Sequence, residues 1–190
     1  MTRIPLLPAT LSALLWLTLP GVAAAQEDDV FNFIPEGGRS LLETLRESGL
    51  PTGLEAAIAE GAGAGDPATW RGRLDAAQAE APALADLDNW QLDTLAHYLA
   101  ANAPLDPAGD LPRDGRDMAL QMCQSCHIIT VVITQERTRE AWLGTMHKPS
   151  HIEIAMTEAE REALADYLVL NAGIPIDLVP PALRAGGASY

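Results

Sequence analysis

Cysteine and positive charge are both scarce in this chain. Its 190 residues include only 2 Cys, Cys123 and Cys126, so the multi-bridge disulfide framework that staples many small exported domains cannot form. Lys and Arg number 12 against 26 Asp and Glu, giving a formal net charge of -14 and a pI near 4.5. A surface this acidic repels phosphate backbones and anionic lipid, which excludes nucleic acid as a partner. No Ser, His and Asp pattern of a nucleophilic hydrolase is recognisable. The glycine-rich run from Gly61 to Gly65 lacks the preceding strand that would make it a phosphate-binding loop. The acidic stretches Glu27 to Asp29 and Glu158 to Glu162 are spaced as solvated faces or helix starts rather than as acid-base pairs.

What is present is an ordinary globular composition, 48% hydrophobic and 20% charged, suited to one or two small domains. The first 25 residues read as an export signal: Arg3, an apolar Leu-rich run from Ile4 to Leu19, then Pro20, Gly21 and the small residues up to Ala25. That run is shorter than the ~20 residues needed to span a bilayer and is interrupted by prolines. Cleavage after Ala25 would leave a chain starting at Gln26, in the periplasm or otherwise exported. With no Cys near the cleavage site and no second long apolar segment, the mature chain is expected to carry no lipid anchor and no membrane span.

The remainder reads almost wholly as helix. Ser40 to Glu43 has capping-box spacing and should open a helix to about Ser48. Asp66-Pro67 supplies an N-cap with Pro at the first helical position, for a helix from Ala68 to about Ala79. Asp88 and Gln91 repeat the cap logic, with Leu92, Leu95, Ala96 and Leu99 on one face of a helix ending near Asn102. Asp114 caps a helix expected to run through Met122, and Thr138 another to about Met146. Thr157 to Glu160 is a capping box for a last helix with Leu164, Tyr167 and Leu168 as its stripe, stopped by Gly173 and Pro175. The β-branched run Ile128 to Ile133 reads as a strand without a partner. Trp70, Trp90 and Trp142 read as core anchors. The N-terminal set Trp70, Gly72, Leu95-Ala96, Tyr98-Leu99 and Asn102-Ala103 is echoed by Trp142, Gly144, Leu164-Ala165, Tyr167-Leu168 and Asn171-Ala172. The first copy has no cysteine.

Both cysteines fall in Cys123-Gln124-Ser125-Cys126-His127, a C-x-x-C-H sequence. Two thiols on one helical turn can add across the two vinyl groups of a haem, and the next residue then lies under the iron. A structural zinc would want four ligands, a thioredoxin-like pair would want a βαβ setting, and an exported pair without haem would close into a disulfide. The compartment and the adjacent His favour covalent haem c.

From Gly115 to Asn171 the sequence resembles the c-type cytochromes: a helix into Cys123 to His127, the Thr138 to Met146 helix, a loop, and a closing helix ending in Tyr167-Leu168. His127, Gln135, Arg137-Thr138 and Trp142 also resemble a haem domain in the dihaem subunit of quinohaemoprotein amine dehydrogenases. The resemblance implies an all-α fold, a cytochrome c-like haem domain of three main helices preceded by a small helical region. It makes Cys123 and Cys126 the thioethers and His127 the proximal iron ligand. The expected organisation is a signal peptide at 1–25 and a helical region at 26–104, read as a degenerate haem-less cytochrome-like half. A linker at 105–112, a haem domain at 113–175 and a tail at 176–190 follow. In one respect the chain departs from many small cytochromes c: Ile128 to Leu143 contains neither Gly nor Pro, so the usual Pro carbonyl for the outer nitrogen of His127 is missing.

The residues leave the distal ligand open among Met146, His147 and His151, or an open site. Met156, just before the Thr157 cap, reads as a hydrophobic staple. His147 can serve as a cation at a helix C-terminus, and His97 reads as a half-exposed helix histidine. By the resemblance the distal ligand comes from the middle of this loop, which favours His151. Trp142 is expected to pack at the haem edge and Ile128 to Ile133 to wall it. The expected function is an exported monohaem electron carrier rather than an enzyme, working between a dehydrogenase and a respiratory acceptor. Its acidic surface calls for redox partners with a basic docking patch. A dedicated subunit bound to a dehydrogenase catalytic subunit, and a haem sensor or peroxidase-like protein with an open sixth site, are the rivals.

Overall fold

A computed structural model describes residues 30–184. The described residues are 61% helical and contain no strand, and none of their helices is long and apolar enough to cross a membrane. The expected signal segment lies outside the described residues. Ten α-helices follow in order: α1 (Gly38–Ser48), α2 (Thr52–Glu60), α3 (Pro67–Ala77), α4 (Pro82–Ala85), α5 (Asn89–Asn102), α6 (Gly115–Met118), α7 (Thr130–Ile133), α8 (Arg139–Met146), α9 (Pro149–Ile152) and α10 (Glu158–Asn171).

The polar caps behave as their local chemistry dictates. Asp66 accepts from the Ala68 amide and Thr138 from Ala141, while Asp88 with Gln91 and Thr157 with Glu160 form full capping boxes. Three expectations are corrected. Helix α1 begins at Gly38, before Ser40, and its N-cap Gly37 makes no side-chain cap bond. Its first-turn Arg39 amide instead donates to Asp114 Oδ2 at 2.8 Å, a cap supplied from a distant part of the chain. The helix capped by Asp114 does not continue as α-helix to Met122: after α6 it widens into a π-helical turn, Ala119–Cys123, with the Gln124 amide reaching Ala119 at 3.3 Å. Such turns cluster at functional sites. The Ile128 to Ile133 run is not a strand. With no partner strand its amides must be satisfied locally, and they are, through α7, where the Ile133 amide donates to Ile129 O at 3.1 Å.

Two apolar clusters form. One gathers α1 to α5 around Trp70, Leu74, Leu84, Leu95 and Leu99; the other gathers α6, α7, α8 and α10 around Met118, Ile129, Ile133, Trp142, Leu164 and Leu168. In the first, α5 packs on α1 and α3; in the second, α10 packs on α6 and α8; α5 and α10 pack on each other. The α1–α5 and α6–α10 crossings are close enough to require glycine. A Cβ on Gly38 would stand 2.2 Å from Tyr98 Cβ, and one on Gly115 would stand 2.1 Å from Tyr167 Cβ. The two tyrosines then exchange partners: the Tyr98 hydroxyl donates to Pro112 O at 2.8 Å and the Tyr167 hydroxyl to Pro35 O at 2.7 Å. Asn102 and Asn171 both donate back to the carbonyl of the tyrosine one turn earlier. Thr94 and Asn171, both buried, join α5 to α10 through a 3.0 Å hydrogen bond.

Trp90 is not a core anchor. It is 59% exposed, with its indole N–H donating to Leu170 O at the end of α10. Among residues 176–184 Val179 is buried, and the Thr130 hydroxyl donates to Leu183 O at 2.6 Å.

Candidate functional site: a cavity between α8, α10 and the cysteine turn

The π-turn ends at Cys123, and the chain then tightens, so that the amides of Cys126 and His127 both donate to Cys123 O at 3.3 and 3.1 Å. That single turn presents Cys123, Cys126 and His127 together on the wall of a cavity of about 360 Å³, a size within the usual range for cofactor pockets. The opposite walls are Trp142, Thr145 and Met146 from α8, Leu164 and Leu168 from α10, and His151, Ile154 and Met156 from the connection between them. The lining is chiefly apolar. Both thiols are unpaired, and burial, with a smaller contribution from Cys126, pushes the Cys123 thiol up to about 11.

Across the cavity the imidazoles of His127 and His151 lie with ring centroids 6.3 Å apart and planes inclined by 32°. An imidazole nitrogen binds a metal at about 2 Å, so two rings ligating one ion from opposite sides have centroids on the order of 6 Å apart. The Ser150 hydroxyl lies 3.0 Å from His151 Nδ1, which leaves Nε2 as the nitrogen available for a ligand.

The other candidates separate cleanly. Met146, 8% exposed, lines the cavity. Met156 packs against the second cluster and also lines the cavity. His147 does not line it: as the residue closing α8, it turns away and sets Nε2 3.0 Å from both carboxylate oxygens of Glu158. His151 sits on the short helix α9 rather than in open loop. His97 is half-buried on α5, in a small cleft against α10 away from the cysteines. Of the run expected to wall the site only Val132 does so, because Ile129 and Ile133 turn into the core and Ile128 is 47% exposed.

Do these residues fit a haem? Trp142 is 4% exposed, and its Nε1 is buried without a hydrogen-bond partner among the described residues. Such an orphan donor beside an apolar cavity is costly unless a bound group supplies an acceptor. The Arg137 guanidinium covers the Trp142 ring at 4.9 Å from its centroid. Among the described residues no three His, Cys, Asp or Glu side chains converge as a bare metal ion would need. The donor set therefore suits a large, flat, apolar prosthetic group carrying a metal and polar substituents, with two thiols to hold its edge.

Sequence reasoning passed over Arg161. It occupies the apolar stripe of α10 with Leu164 and Leu168, is 3% exposed, and reaches the cavity wall. Its signal was a cation in a stripe that helical spacing reserves for apolar residues. Comparison with protein families, curated proteins and solved structures finds no match to this chain.

Proposed function

We propose that this chain is an exported monohaem electron carrier of the c-type cytochrome kind, in which Cys123 and Cys126 would hold haem c and His127 and His151 would bind its iron. The observation that carries the reading is the convergence of both thiols and both imidazoles, 6.3 Å apart, on one apolar cavity with the orphaned Trp142 N–H. The haem supplies reversible one-electron chemistry at its iron. The protein's part is to fix and shield it. Cys123 and Cys126 would tether its edge, His127 and His151 would hold the iron, and Trp142, Leu164 and Leu168 would exclude water and lower the local dielectric. We read the chain as a carrier between a dehydrogenase and a respiratory acceptor in the periplasm or an equivalent exported space. Its partners would present a basic docking patch.

The test is intact-protein mass after expression with the cytochrome c maturation machinery. Haem retained under denaturing conditions in the wild type and lost when Cys123→Ser and Cys126→Ser are combined supports the reading; a haem-free wild type overturns it.

A second reading, a dedicated subunit of a dehydrogenase complex, is favoured by Trp90. This large aromatic is 59% exposed beside a groove of about 520 Å³ between the two clusters, and exposed Trp is a common anchor at protein interfaces. Copurification of a stoichiometric catalytic partner from the native source would favour it; a clean monomer would count against it.

A further inference from the structure

Helix α9 carries a candidate ligand yet has no apolar anchor: none of its residues is buried. A side chain from α10 grips its backbone. Arg161 Nη1 donates to Met146 O at 2.9 Å and His151 O at 3.4 Å, while Nη2 donates to Ile152 O at 3.1 Å and Ile154 O at 2.9 Å. Buried guanidinium groups are usually offset by a carboxylate. Here the acceptors are main-chain carbonyls, so the cost of burial is met by ordering one particular stretch of backbone. The planar fork reaches the start of the stretch with one nitrogen and its end with the other. A lysine, with its donors on one atom, cannot span both.

We propose that Arg161 is the positioning residue that closes the 146–154 segment over the cavity and keeps His151 opposite His127. The inference rests on the haem reading above, but the clamp can be tested apart from it. Arg161 lies outside the cysteine turn, so altering it leaves the attachment chemistry in place. Its loss should free His151 while His127 remains fixed by the covalent anchor. The reduced protein would then open its distal side to an external ligand.

The experiment compares the full chain, haem attached, with Arg161→Met and Arg161→Lys. Two readouts are used: the rate at which carbon monoxide binds the reduced protein, and hydrogen exchange at the amides of residues 147–154. Arg161→Met should speed carbon monoxide binding at least tenfold and abolish amide protection in the segment, with haem still covalently attached. Arg161→Lys should fall between the two, and it carries the test if the Met variant fails to fold. Carbon monoxide binding and exchange both at wild-type values in the variants would overturn the clamp while leaving haem attachment intact. Should the wild-type chain carry no covalent haem, the haem reading falls instead. Exchange in the haem-free chain then decides the clamp: protection lost in the variants supports it, and protection unchanged overturns it.

Discussion

Gly115 lies so close against Tyr167 that a Cβ at position 115 would stand 2.1 Å from the tyrosine Cβ, an atom that cannot move without shifting α10 itself. Replacement by Ala must therefore push α6 off α10, and α6 leads directly into the cysteine turn. Gly115→Ala should destabilise the protein by about 2 kcal/mol or more, in the range for overpacked contacts. Gly144, exposed on α8 with nothing within 4 Å of its Cβ position, is the control. Gly144→Ala should be neutral or stabilising by up to ~1 kcal/mol, since alanine is the better helix former. Urea unfolding of the two variants checks the pair.

The two buried tryptophans offer a paired comparison. Trp70 and Trp142 are 0% and 4% exposed, and neither Nε1 has a partner among the described residues. Substitution by Phe removes an idle donor at 70. At 142 it removes one that a polar group of the bound cofactor would accept. In the haem-loaded protein Trp142→Phe should cost roughly 1–2 kcal/mol more than Trp70→Phe. Equal costs in thermal unfolding would mean that the Trp142 N–H stays idle.

Glu160 and Asp114 contribute to acid stability with opposite signs. Glu160 accepts from the Thr157 amide at 2.7 Å and pairs with Arg113, which together hold its carboxyl below the ordinary range, the amide contributing most. Its stabilisation is present above the unfolded pKa, 4.5, and is lost as pH falls through and below that value. Asp114 runs the other way. Burial raises its pKa despite amide bonds from Asp117 and Arg39, so the folded state binds its proton more tightly than the unfolded one. That contribution is full at low pH and disappears as pH rises through the raised value. Glu160→Gln should therefore flatten the loss of stability between about pH 5 and pH 3, measured by denaturant midpoints across that window.

Much of the fold was legible wherever its determinant is local. Asp66, Asp88, Thr138 and Thr157 sit beside the amides they cap, so their helices could be read from short windows. The start of α1 could not, because its first-turn amide is met by Asp114 from the second cluster. Helices α2 and α4 escaped notice because their N-caps, Pro51 and Ala81, offer no side-chain bond. That Cys123, Cys126 and His127 share one turn was readable because they lie within five consecutive residues, but the π-helical turn leading into it was not. The far wall was not: that Met146 and His151 face the cavity while His147 does not depends on Glu158 drawing His147 away and on Arg161 gripping the backbone around His151. Those partners lie in a different helix, and no spacing rule points to them.

The net charge of -14 carries its own expectation. Association with a basic redox partner should slow as ionic strength rises, because long-range attraction is screened beyond about 8 Å at 0.15 M salt. Stopped-flow electron transfer at low and high salt would check this; rates indifferent to salt would argue for apolar docking instead.

The most direct measurement is the ferric absorption spectrum, extended into the far red and near infrared, of the haem-loaded wild type beside His151→Ala and His147→Ala. The account predicts a low-spin wild type without the weak sulfur-to-iron band, loss of that low-spin state in His151→Ala, and an unchanged spectrum in His147→Ala. A sulfur-to-iron band in the wild type would transfer the distal role to a methionine such as Met146, and a protein with no attached haem would contradict the account at its centre.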